Sequence, residues 1–345
     1  MNTHNLNISV DWLQLYCDVS NIEYSGEFEV KKLDYGTKHF IILEEIYLQG
    51  SLFATMLRQP RSDIIKAHTG ILKISNSLLY SQHAFNAITN FVNLCGIHIL
   101  SITRIDIAID FVKFHNGLTP SNLIKGFMRS KYLKNGRGKY TIIGEQKNVM
   151  DVSYLRFGTK ASEVNAYLYN KSKEMRETVW KNYIAESWNT LENKNRSDVW
   201  RLEFSLKSKA TTFLNKENGE IEQINLSILD DNNQKTELLK ALIQRYFEFK
   251  INDNQKNKTR MKALLLFKFN KTGFSNIYLP KAVDIYKKDK TLLKNLYILN
   301  KEFRGVDKIV VESTRNVISY MRTHSYLNNY FESKKDSWDK TTYRV

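Results

Sequence analysis

The chain has 345 residues, 42% hydrophobic and 12% aromatic, which is too apolar for a disordered protein. Two cysteines, Cys17 and Cys95, rule out a disulfide framework or a zinc-finger set. No apolar run approaches the roughly 18–20 residues of a membrane span, and the start carries no basic or apolar signal region, so a soluble cytoplasmic protein is expected, with no membrane partner.

The net charge is +16, and it is unevenly spread. Residues 1–100 hold 7 Lys+Arg and 9 Asp+Glu, so +18 falls on the remainder. A field of that size attracts polyanions and nominates nucleic acid as the partner. The Lys- and Asn-rich usage of an AT-rich genome is the competing account.

In chain order, the alternation of Val10–Cys17 predicts a strand, as do Phe40–Leu48 and Ile71–Ser75. Between Ser77 and Cys95 the apolar residues Leu78, Phe85, Ile88, Phe91, Val92 and Cys95 recur at helical spacing, with Gly96 as a stop. Ile99–Phe111 is the clearest strand. A loop around Pro120 leads to a short helix at Leu123–Met128 and a basic, glycine-punctuated loop at Lys131–Lys139. Strands follow at Asp151–Phe157 and Val164–Tyr169, then a polar helical run from Lys171 and a strand at Val199–Leu206. From Ile224 the pattern turns helical and basic, with Lys235–Lys250, Thr291–Phe303 and Ile309–Phe331 as helices. The expected fold is α+β: a mostly antiparallel central sheet with flanking helices over 1–215, then a helical, basic C-terminal part over 216–345 for DNA binding or an accessory role.

Three strands carry chemistry. In Thr103–Phe111, period-2 alternation puts Ile105, Ile107, Ile109 and Phe111 on one face and Arg104, Asp106, Ala108 and Asp110 on the other. This pattern is read as holding the two carboxylates about 7 Å apart around the small Ala108, where they could bind a hard divalent ion; the alternative is a solvated face on which Arg104 pairs with Asp106. In Val164–Lys171, Asn165, Tyr167, Tyr169 and Lys171 share a face. An ammonium beside a phenol favours the phenolate or steadies a phosphate, although most of 19 tyrosines serve packing. In Trp200–Lys207, Arg201, Glu203, Ser205 and Lys207 share a face, on which Glu203 could complete a metal site and the basic groups could hold phosphate; a cross-strand salt-bridge ladder is the alternative.

Taken in order, D-W near the N-terminus, T-R-I-D-I-A-I-D-F, F-G-T-x-x-S with Y-L-Y-N-K, and W-R-L-E-F-S-L-K resemble the Rep-trans family of plasmid and phage rolling-circle replication initiators. The likeness spans about residues 11–250. It departs at Arg156, at Thr159 and at Ala166–Tyr167, where the family carries other residues. The His-hydrophobe-His motif of the other large initiator group is absent; His39, His83 and His115 are scattered.

The resemblance implies an enzyme that nicks one origin strand by tyrosine transesterification, stays linked to the 5′ end and later rejoins it. It maps the nucleophile to Tyr169 with Lys171 beside it and Tyr167 in reserve, and it implies Mg²⁺ or Mn²⁺ on Asp106, Asp110 and Glu203. Arg104, Arg156, Lys160, Arg201 and Lys207, with Lys131, Lys134, Arg137 and Lys139 of the basic loop, are the expected DNA contacts. Double- and single-stranded origin DNA are the implied partners, with a host helicase and a homodimer as further candidates. A conjugative relaxase with the same chemistry and a non-catalytic DNA-binding regulator are the alternatives.

Overall fold

The computed structural model describes residues 6–62, 65–136, 138–146, 150–191, 196–215, 221–255, 257–269 and 277–278. The chain divides into two compact units, 1–279 and 280–345. The second lies outside the described residues, as do the helices expected at Thr291–Phe303 and Ile309–Phe331.

The N-terminal half is strand-rich: β1 (Asn7–Asp18), β2 (Phe28–Lys32), β3 (Phe40–Leu48), β4 (Ser51–Pro60) and β5 (Thr69–Ile74) precede α1 (Asn76–Leu79) and α2 (Ala84–Leu94). After β6 (His98–Phe111) and α3 (Pro120–Met128) come β7 (Tyr132–Lys134), β8 (Tyr140–Gln146), β9 (Met150–Phe157) and β10 (Val164–Asn170). Next are α4 (Lys171–Glu177), α5 (Asn182–Ser187), β11 (Trp200–Lys207), β12 (Thr212–Asn215) and β13 (Ile221–Gln223). The first unit closes with α6 (Leu226–Asp230), α7 (Asn232–Tyr246), β14 (Phe249–Ile251), β15 (Ala263–Leu264) and β16 (Ile277–Tyr278).

Ten strands form one sheet in the order β2-β3-β4-β5-β1-β6-β11-β10-β9-β8, and every neighbouring pair is antiparallel. The fold is α+β, as expected. Two three-stranded sheets, β13-β12-β16 and β15-β14-β7, complete it.

The alternation in β6 decides which face is buried against helices. Ile105, Ile107, Ile109 and Phe111 are fully buried, in one core with Leu202, Phe204 and Leu206 of β11 and Ile88, Phe91 and Val92 of α2. Leu229 of α6 and Leu238, Leu239 and Leu242 of α7 belong to the same core. The opposite face, bearing Asp106 and Glu203, meets a second, smaller cluster built on Met175, Ile184, Ala185 and Trp188.

The helix expected over Ser77–Cys95 is broken at Tyr80–His83 into α1 and α2. The break lets Tyr80 turn into the sheet, where its hydroxyl meets Asp11 and Arg201. The stop at Gly96 holds: its φ is +64°, and a Cβ there would lie 2.6 Å from the Asn21 carbonyl oxygen. The basic loop at Lys131–Lys139 is partly β7, paired to β14, so the segment is anchored rather than free. The helix expected over Lys235–Lys250 ends at Tyr246, and Phe249 begins β14.

Phe91 is fully buried and meets Phe28 and Phe53 with ring centroids 4.8 and 5.0 Å away. Phe91→Ala is expected to cost about 3–5 kcal/mol of stability, read as a shift of the urea midpoint at unchanged slope.

Candidate active site

The site is built where β1, β6, β11 and β10 lie side by side. Register brings Arg201 opposite Asp110, Glu203 opposite Ala108 and Ser205 opposite Asp106. On the other side of β11, Tyr169 faces Arg201 and Tyr167 faces Glu203.

β1 supplies a residue to which the sequence reading gave no role. Val10 pairs with Ile107 but Trp12 with Asp106, so Asp11 is an extra residue at a β-bulge. The signal was present: the buried residues Val10, Leu13, Leu15 and Cys17 step by three and then by two, which breaks strand alternation at Asp11. The bulge aims Asp11 at Arg201.

Arg201 is fully buried. Its Nε and Nη2 donate to the two carboxylate oxygens of Asp110 at 2.7 and 2.8 Å, and Nη1 donates to Asp11 Oδ1 at 2.6 Å. Nη2 also donates to the Tyr80 hydroxyl at 2.8 Å, which in turn donates to Asp11. Trp188 Nε1 donates to Asp110 Oδ2 at 2.8 Å. Desolvation alone would lower the arginine's affinity for its proton, but Asp11 and Asp110 raise it well above normal. Burial would raise the Asp11 carboxyl, yet the Arg201 and Lys171 charges hold it well below the usual carboxylate range.

This network bears on two expectations. Arg201 is sealed against carboxylates and offers no surface to a phosphate. Asp110 is committed to Arg201 and Trp188, and it sits four residues from Asp106 along one strand, a rise of about 13 Å rather than 7 Å. Asp106 is itself gripped by Arg104, whose Nε and Nη2 reach its two oxygens at 3.0 and 2.5 Å; the pairing is that of the solvated-face alternative, but the face is buried at Asp106, Ala108 and Asp110. Glu203 accepts from Tyr169. Among the described residues no three His, Cys, Asp or Glu side chains converge as a metal site. Asp106, Asp110 and Glu203 are thus not gathered into one cluster in this arrangement.

Tyr169 Oη donates to Glu203 Oε2 at 2.8 Å. Burial, followed by the negative charges of Asp11 and Asp106, pushes the Glu203 carboxyl up to about 7. Burial and the neighbouring Glu203 likewise raise the Tyr169 phenol well above its usual value. Lys171 is not on the strand: β10 ends at Asn170, which caps α4 by accepting from Lys173 N. As the first residue of α4, Lys171 still places its ammonium 5.6 Å from the Tyr169 ring centroid, with an ion pair to Glu174 at 2.8 Å. Tyr167, Tyr169 and Glu203 line a cavity of about 440 Å³ that α4 borders.

The expected DNA contacts separate into several groups. Arg104 is ion-paired to Asp106 and lies over the Trp12 ring at 4.8 Å. Arg156 is half-buried beside Tyr167, and its Nε has no hydrogen-bond partner among the described residues. Lys207 donates to the backbone carbonyl of the exposed Lys160. Lys131 and Lys139 are exposed. Lys134 is half-buried over the Phe157 ring at 5.0 Å, and desolvation lowers its pKa. Arg137 lies outside the described residues.

The raised carboxyl predicts a sign. The folded state keeps a proton on Glu203 that the unfolded chain has lost, between its ordinary value of 4.5 and about 7. Its charge therefore costs stability as pH rises through that window. Glu203→Gln, which keeps an acceptor for Tyr169, is expected to match the wild type near pH 4.5. It should exceed it by about 1–3 kcal/mol at pH 8, measured by denaturant unfolding at both pH values.

No protein-family model and no curated protein sequence matches the chain. A solved structure, a rolling circle replication initiator protein from Geobacillus stearothermophilus, is similar at 15% identity and a TM-score of 0.47, over 75% of this chain and 92% of that one.

Proposed function

We propose that this chain nicks and rejoins one strand of origin DNA by transesterification on Tyr169. The observation that carries the reading is the hydrogen bond from Tyr169 Oη to Glu203, a carboxylate with a near-neutral pKa, at the wall of a cavity. A phenol is a poor nucleophile until a base takes its proton, and a base poised near 7 does this best at physiological pH. The ordered motifs that resemble rolling-circle initiators supply the substrate class. A site-specific single-strand endonuclease and strand transferase of this kind would serve replication initiation.

In the forward step Tyr169 Oη attacks the scissile phosphorus, so the P–Oη bond forms as the P–O3′ bond breaks. The phenolic proton passes to Glu203, and the leaving 3′ oxygen takes a proton from water to become a hydroxyl. The chain then holds the 5′ phosphate as a tyrosine ester, and rejoining is the same exchange in reverse. The Lys171 ammonium lies over the Tyr169 ring and is ion-paired to Glu174. Arg156, with its unpartnered Nε, and Arg104 are the cations that meet the non-bridging phosphate oxygens. Tyr169 is preferred over Tyr167 because Tyr169 is the phenol that donates to Glu203.

The test is covalent capture on supercoiled origin DNA in a buffer containing Mg²⁺. The wild type is expected to give an adduct that survives SDS and maps to Tyr169. Tyr169→Phe should abolish the adduct while origin binding persists, and Tyr167→Phe should retain it. Glu203→Gln should slow adduct formation by about 10²–10⁴-fold. An undiminished adduct in Tyr169→Phe removes that residue from the role.

A further inference from the structure

The cavity beside Tyr169 is larger than one phosphoryl group requires. At about 440 Å³ it falls within the range of a small-molecule pocket. The mechanism above uses only the wall it shares with Tyr169 and Glu203. The remaining lining has two chemical characters, and they oppose the assignment of a phosphate to it.

One side is aromatic. Tyr154 of β9 and Tyr167 of β10 line the cavity with ring centroids 6.4 Å apart and planes tilted by 53°. Two half-buried rings at a cavity wall offer π-faces and hydrocarbon edges rather than cationic donors. The other side is acidic. Glu174 and Glu177 of α4 line it together with Lys173. The Lys173 charge is already shared among Glu145 at 2.6 Å, Glu177 at 3.8 Å and Asp151 at 3.9 Å. Lys171 is likewise committed to Glu174. A polyanion meets net repulsion on this side, whereas a neutral ring carrying N–H donors meets acceptors.

We infer that this cavity takes the unpaired nucleobase adjoining the scissile phosphate, stacks it on Tyr154 and Tyr167, and selects for an exocyclic amine through Glu177. Aromatic side chains bind bases by their π-faces whatever the sequence, and a glutamate accepts from the amine of cytosine. Arg156 lies opposite Tyr167 in register, so the phosphate it meets adjoins the stacked base, which turns toward α4. A base can enter only once the strand is unpaired, so the substrate at this step is single-stranded. The inference rests on the nicking reading for its position in a reaction, but it is tested by binding alone.

The probes are end-labelled 12-mers of oligo(dC) and oligo(dU), which share a backbone and differ in the 4-amine against the 4-carbonyl. Affinities are read by fluorescence anisotropy, with EDTA present to suppress cleavage. The wild type is expected to bind oligo(dC) at least fivefold more tightly than oligo(dU). Glu177→Ala, on an exposed helix position, should bring that ratio to within twofold. Tyr154→Leu should weaken both probes by about fivefold or more, with an unchanged melting temperature as the check on folding. Equal affinity of the wild type for the two probes overturns the inference, even if Tyr154→Leu weakens both, since any stacking shelf would do the same. A preference for oligo(dC) that survives Glu177→Ala also overturns it. Loss of the covalent adduct with this base preference intact would defeat the nicking reading alone; an adduct formed without the preference would defeat the pocket alone.

Discussion

A single buried guanidinium organises the polar half of the sheet around Tyr169 and Glu203. Arg201 joins β11 to β6 through Asp110 and to β1 through Asp11, and it reaches the residue after α1 through Tyr80. Trp188 closes the far side of Asp110. Burying an isolated charge costs several kcal/mol even after relaxation, and such a group persists only where its donors are met with good geometry. Here Asp110 takes the fork side-on and Asp11 takes the remaining Nη1. The bulge at Asp11 is therefore the local irregularity that makes the buried charge tolerable. Because Tyr169 pairs with Arg201 in register and Glu203 follows two residues later on the same face, the same contact fixes where the phenol and its acceptor meet.

The network also separates the acidities of the carboxylates around it. Burial favours protonation of both Asp11 and Glu203, yet Asp11 lies against Arg201 and ends well below the usual range. Glu203 gains less from Arg201 and feels the negative charges of Asp11 and Asp106, so it ends near 7. Carboxylates a few ångströms apart thus acquire different roles from their surroundings alone. The low one holds the architecture, and the high one is available to exchange a proton. Keeping Glu203 ionised above its raised pKa is unfavourable for folding.

Much of the fold was legible because strand alternation is a local signal. Ile105 to Phe111 and Leu202 to Leu206 could be assigned a buried face from sequence, and both runs are buried. What could not be read was which partner each polar residue meets across strands. Asp110 resembled Asp106 in the sequence, but register placed it opposite Arg201 and under Trp188, 78 residues away in the chain. The separation along the strand did tell against a shared metal, because four residues of extended chain span about 13 Å. Tyr80 and Trp188 carried no local mark of their role. The helical periodicity over Ser77–Cys95 concealed the break that frees Tyr80, since apolar spacing resumes in phase on both sides of it. Lys171 was placed on the correct side of Tyr169 for an incomplete reason: the strand had already ended, and the Asn170 cap on α4 holds it there.

The antiparallel sheet sets how different chemistries are spaced over one small surface. Neighbouring strands lie about 4.8 Å apart, and alternate residues along each strand about 7 Å, so the polar face is a grid with steps near the size of a phosphate or an aromatic ring. Arg104 and Asp106 occupy one part of the grid; Glu203, Tyr167 and Arg156 lie level with one another across β11, β10 and β9, and Arg201, Tyr169 and Tyr154 form the next row toward α4. A polymer laid across the face would meet a different chemistry at each step, and one step presents a phenol, Tyr169, hydrogen-bonded to the Glu203 carboxylate. Under the proposed nicking reading, the position of cleavage would be set by the order of strands in the sheet as much as by the identity of any one residue.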